Sequence, residues 1–120
     1  MMYFVDRSAV VLKPTQVFLD WLFTTDEDMP EITLAQLQSN CTTLLVPEFD
    51  TPEEVVGYVG EHFQPIFEAE LAGWEIEKAK WPKDLNVETF WTFFSIDVND
   101  MVLDMVDADI QVSPLFDNMM

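Results

Sequence analysis

The sequence predicts an α+β fold: a small sheet of about three strands with helices packed on one face. Three observations predict it. Apolar residues make up 49% of the 120 residues, with ten Phe and four Trp among them, enough for a packed interior. Short β-branched runs bounded by Pro, Asp or Asn alternate with stretches whose apolar residues recur every three or four positions. Only three Gly occur, so neither a linker nor a repeat is indicated, and residues 1–120 are expected to form a single acidic globular domain.

The elements follow in order. Ser8 to Lys13 (SAVVLK) reads as a buried strand, closed by Pro14. Thr15 is placed to cap a short helix with Val17, Phe18, Trp21 and Leu22 on its apolar face. Thr24 to Glu31 is a polar, acidic loop. Thr33 opens a second short helix, TLAQLQSN, with Leu34 and Leu37 on one side. Thr42 to Pro47 (TTLLVP) reads as a strand, and its unbroken apolar run predicts a central position. Thr51-Pro52-Glu53-Glu54 is a helix start, with a capping Thr, Pro at the first helical position and Glu54 able to reach back. The next stretch predicts a continuous buried stripe of Val56, Val59, Phe63, Phe67, Leu71 and Trp74. Pro65 predicts a kink or break near His62 to Gln64, because its ring clashes with the preceding turn. Asn86 or its neighbours begin another helix with Val87, Phe90, Trp91 and Phe94 inward. Phe94, Ile96 and Val98 alternate as a strand does. Residues 99–107 fit a strand or a helix; the frequent Val and the missing capping box favour the strand. Residues after Asp109 read as a frayed end.

Charge is the outlier. Twenty-three Asp and Glu face five Lys and Arg, a formal net of -18. Self-repulsion on this scale weakens the compact state, so screening by salt is expected to stabilise it. The same charge disfavours direct contact with nucleic-acid phosphates and with anionic lipid. No apolar run approaches the length of a membrane span, and Met1 to Arg7 lacks the pattern of a secretory signal, so a cytoplasmic location is expected.

Chemistry-bearing signatures are sparse. Gly57, Gly60 and Gly73 form no phosphate cradle, and Cys41 stands alone, so it reads as an inert thiol. His62 is the single histidine and reads as a helix surface residue. Asp97, Asn99, Asp100 and Asp104 lack the Gly and final Glu of a calcium loop. No cofactor, metal site or catalytic residue is therefore assigned. Glu54, Glu61, Glu68 and Glu75 fall at intervals of seven and would form a stripe about 10 Å apart on one unbroken helix. With Asp26, Glu27 and Asp28 they are the candidate partner-binding residues. The plainer reading of the stripe is a solvated helix face.

Four segments carry a resemblance: VVLKPTQVFLDWL, TTLLVPEFDTPEEV, FEAELAGW with the later WP, and FWTFFSIDVNDMVLDMVD. Over most of its length the chain resembles a family of small uncharacterised bacterial proteins. The resemblance implies a cytosolic bacterial protein and a strand over residues 94–106. It carries no activity.

These observations leave an acidic protein-binding or regulatory domain that engages a basic protein. The alternatives are a nucleic-acid-mimic decoy for a DNA- or RNA-binding protein, a structural domain whose charge serves solubility, and a small carboxylate-dependent enzyme. An aromatic patch around Trp21 or Trp91 beside carboxylates would mark the binding class. The oligomeric state stays open, since a net of -18 repels a second copy.

Overall fold

The computed structural model describes residues 1–115. It is an α+β fold in which a three-stranded antiparallel sheet has helices packed alongside it. The sheet comprises β2 (Ser8–Pro14), β3 (Thr42–Val46) and β4 (Phe94–Asn99), in the order β3-β2-β4. A separate two-stranded ribbon pairs β1 (Tyr3–Phe4) with β5 (Leu103–Asp104).

The centre of the sheet is β2, not the Thr42 segment. Its pleat buries Ser8, Val10, Leu12 and Pro14 and leaves Ala9, Val11 and Lys13 half-covered. Val10 lies between Leu44 of β3 and Val98 of β4 on the helix-covered face. The apolar run of β3 is misleading because only Val46 is buried, while Leu45 points to the open face and is 55% exposed.

Helix α1 (Gln16–Thr25) buries Phe18, Leu19, Trp21 and Leu22; Val17 is exposed. Thr15 occupies the cap position, but its hydroxyl donates to the Thr92 carbonyl at 2.6 Å. It ties the start of α1 to the end of α5 (Val87–Phe93) instead of capping its own helix. Helix α2 is a single turn, Leu34–Leu37, shorter than Thr33 to Asn40, and is closed by a reciprocal Thr33–Gln36 capping box. Asn86 caps α5 by accepting from the Thr89 N–H at 2.8 Å.

The long apolar stretch divides at His62 into α3 (Pro52–Glu61) and α4 (Phe63–Ala72), which leaves Pro65 in the first turn of α4, where no intrahelical N–H bond is lost. Each half buries one i, i+4 pair: Val55 with Val59, and Phe67 with Leu71. The continuous stripe is therefore corrected at both ends, with Val56 and Trp74 exposed. Thr51 accepts from the Glu54 N–H at 3.3 Å, a cap whose loss typically costs about 1 kcal/mol.

Phe67 sits at the middle of the core. It meets Phe90, Phe93 and Phe94 edge-on at centroid distances of 5.6, 5.2 and 5.9 Å. Each fully buried Phe contributes roughly 1.5–3 kcal/mol, and edge-to-face contacts add about 0.5–1.5 kcal/mol beyond area. Trp21 is buried with its indole N–H donating to the Lys80 carbonyl at 3.0 Å.

The tail forms a strand over only two residues, Leu103–Asp104, within the expected 99–107 segment. Residues 110–115 have no regular structure, and the remainder of the expected frayed end lies outside the described residues. Met1 to Arg7, read above only for a leader, supplies the partner strand β1.

Candidate interaction surface

The ribbon continues the β2–β4 ladder past an interruption, with the Val5 N–H donating to the Val102 carbonyl at 2.9 Å. Its register places Phe4 opposite Leu103 and Tyr3 opposite Asp104. Side chains alternate across a strand, so Phe4 and Leu103 share one face and Tyr3 and Asp104 the other. Met2, Met101 and Met105 are each two residues from Phe4 or Leu103 in the chain, just outside the paired strand residues. All five are exposed, Phe4 to 80% and Met105 to 74%. On the opposite side the Tyr3 hydroxyl donates to the Asp107 carboxylate. That bond, then desolvation and the Asp104 charge, holds the Tyr3 phenol above its ordinary value. Asp6, Asp100, Asp104 and Asp107 flank the ribbon along the chain.

A second apolar surface lies between the free edge of β3 and α4. It is a groove of about 530 Å³ lined by Thr42, Leu44, Ile66, Ala69 and Leu115, among others. Glu70 is the one carboxylate in its lining. Burial pushes the Glu70 carboxyl above the usual range, and the Thr42 hydroxyl acts the other way. Among the described residues no ion pair reaches Glu70.

The seven-residue series is not one stripe. Glu54 and Glu61 lie at opposite ends of α3, Glu68 on α4, and Glu75 beyond it. Glu75 is turned inward: it pairs with Lys80 at 3.7 Å, and its carbonyl accepts from the Trp81 indole at 2.7 Å. Lys80 also donates to the Thr25 carbonyl, so this lysine belongs to the internal scaffold. Asp26, Glu27 and Asp28 are exposed in the turn after α1, where the Asp26 carboxylate accepts from the Asp28 N–H at 2.9 Å.

The remaining candidates are structural. Cys41 is half-buried with its thiol donating to the Gln38 carbonyl. His62 lies at the helix break, stacked on Tyr58 with centroids 4.3 Å apart. Among the described residues no group of three or more His, Cys, Asp or Glu is arranged to hold a metal, and no helix is long and apolar enough to cross a membrane. The aromatic marks of an interface are not Trp21, which is buried, or Trp91, which is half-buried against Phe90. Phe4 stands out instead. A period-2 reading of Met2–Phe4 against Met101–Leu103–Met105 was the available signal for the ribbon. Nothing local marks Glu70, which lies beside Thr42 of β3. No protein-family model matches the chain, and neither the curated proteins nor the solved structures contain a match to it.

Proposed function

We propose that this protein is a binding domain for a basic protein, contacting it through the apolar face of the β1–β5 ribbon. The observation that carries the reading is the exposed group of Met2, Phe4, Met101, Leu103 and Met105 on a chain of net charge -18. Exposed apolar side chains grouped around a surface ribbon are characteristic of a contact surface. Methionines suit it, since their unbranched thioethers adapt to a partner's shape. The aspartates on the other side of the ribbon and beside it in the chain keep its surroundings acidic, which favours a partner rich in Lys and Arg and speeds encounter with it.

The test compares the wild type with the double variant Phe4→Asp, Leu103→Asp as baits in a cell lysate at low and at high salt. A protein of basic composition held by the wild type, lost in the variant and weakened by salt, supports the reading. Equal capture by the variant, or no capture by the wild type, overturns it.

A further inference from the structure

We propose that the groove between β3 and α4 is a second binding site, one that takes an extended protein segment alternating apolar side chains with Lys or Arg. The inference deepens the protein-binding reading and rests on it.

Three observations converge on that occupant. First, among the described residues β3 pairs with β2 alone, so its other edge offers backbone donors and acceptors to an added strand. Second, the groove along that edge is apolar, with Leu44 on the strand side and Ile66, Ala69 and Ala72 on the helix side. Its volume of about 530 Å³ admits apolar side chains of medium size. An added strand directs alternate side chains into such a groove, which sets the period of the ligand. Third, Glu70 lies in the lining without a cationic partner among the described residues. A carboxylate drawn partly out of water is costly to keep charged, and an incoming Lys or Arg relieves that cost. The charge of the whole chain acts in the same direction. An acidic strand would be repelled at Glu70. A purely apolar one would bury that carboxylate with no counter-charge.

The probe is an acetylated Val–Lys–Val–Lys–Val–Lys peptide, with Val–Ser and Val–Glu repeats of the same length as controls. Binding is followed by amide chemical shifts of the full chain. The Val–Lys peptide is expected to shift Thr42–Val46 and Phe63–Ala72 and to leave the ribbon unmoved. Filling the groove by Ala69→Trp should weaken binding about tenfold, the loss typical of a blocked anchor site. Ala72→Trp fills the same groove from its other end and guards against a folding defect in the first variant. Glu70→Gln should weaken the Val–Lys peptide and bring its affinity to that of Val–Ser. Equal binding of Val–Ser and Val–Lys by the wild type overturns the proposal, as do shifts confined to the ribbon. If deleting residues 110–120 alone produces the groove shifts, the site belongs to the chain's own tail. If the shifts depend on protein concentration without peptide, it belongs to a second copy. Either result also overturns the proposal. Lysate capture that survives Ala69→Trp while no peptide binds the groove removes this site and leaves the ribbon reading intact.

Discussion

Glu70 is where a single side chain works against the fold. Its carboxyl is raised by burial, so the folded state holds the proton more tightly than the unfolded chain. The stabilising contribution of that proton is complete below the unfolded value and disappears as pH rises through the higher folded value. At neutral pH the ionised group is a burden. Glu70→Gln is therefore expected to raise Tm modestly at pH near 7. The gain should vanish in acid, where the wild type is itself neutral at this position. Calorimetry at the two pH values checks it, and a fall in Tm at neutral pH would contradict it. The contrast with Thr51 explains what a sequence reveals at this scale. A cap depends on neighbours three residues away, so Thr51, Pro52 and Glu54 declare themselves. Glu70 lies beside Thr42, which is remote in sequence and adjacent only after β3 has found its edge.

Among the elements, the β1–β5 ribbon is the one with the least support from the core. Its fastenings among the described residues are the Tyr3 hydroxyl on Asp107, the Val5 N–H on the Val102 carbonyl, the Met1 amino group beside Asp107, and the pairing of four strand residues. Tyr3→Phe should quicken amide hydrogen exchange several-fold at Val5, whose N–H bonds to the Val102 carbonyl across the ribbon, while leaving Val10 and Leu12 protected. Exchange unchanged at Val5 would show that the hydroxyl does not hold the ribbon. Alkali should do the same to the wild type. The donor is the neutral phenol, whose folded value lies above the ordinary one, so the bond is complete below about pH 10 and is lost as pH climbs through the raised value. Several elements could be read in advance from local chemistry: the β2 strand, the break before Pro65, and the Asn86 cap. The order of strands could not. Leu44 and Leu45 form an apolar pair whether a strand is central or lateral, and only pairing decides which of them is covered. The phase of α3 escaped for a related reason. Treating residues 54 to 75 as one helix selects Val56, whereas two helices meeting at His62 each choose their own buried face, and α3 chooses Val55.

At the scale of the molecule, charge and shape are the two departures from an ordinary small domain. The principal extents are 48 × 34 × 29 Å and the radius of gyration is 16.0 Å. A compact chain of this length would have a radius of about 13–14 Å, so the molecule is elongated. Three side-chain cations, Arg7, Lys13 and Lys80, have carboxylate partners among the described residues, and most of these partners are exposed. Such pairs contribute little, so the uncompensated carboxylates must be restrained by the core. Moderate NaCl should raise the midpoint of urea denaturation without changing its slope. A midpoint indifferent to salt would mean that the carboxylates are too far apart to matter. The charge was legible from composition alone. The ribbon was not, because its two strands come from opposite ends of the described chain.

The same remoteness governs the central strand. On a ribosome, Ser8–Pro14 emerges early, its first neighbour follows with residues 42–46, and its second arrives only with residues 94–99. Until then one side of β2 has no hydrogen-bonded neighbour, and Val10 and Leu12 lack the cover of the last helix and strand. Folding of the sheet is thereby postponed until residues 94–99 have been made, and pairing across so long a loop is intrinsically slow. A nascent chain halted before Phe94 displays an apolar, half-paired strand to its surroundings, the condition in which newly made proteins aggregate or are held by chaperones.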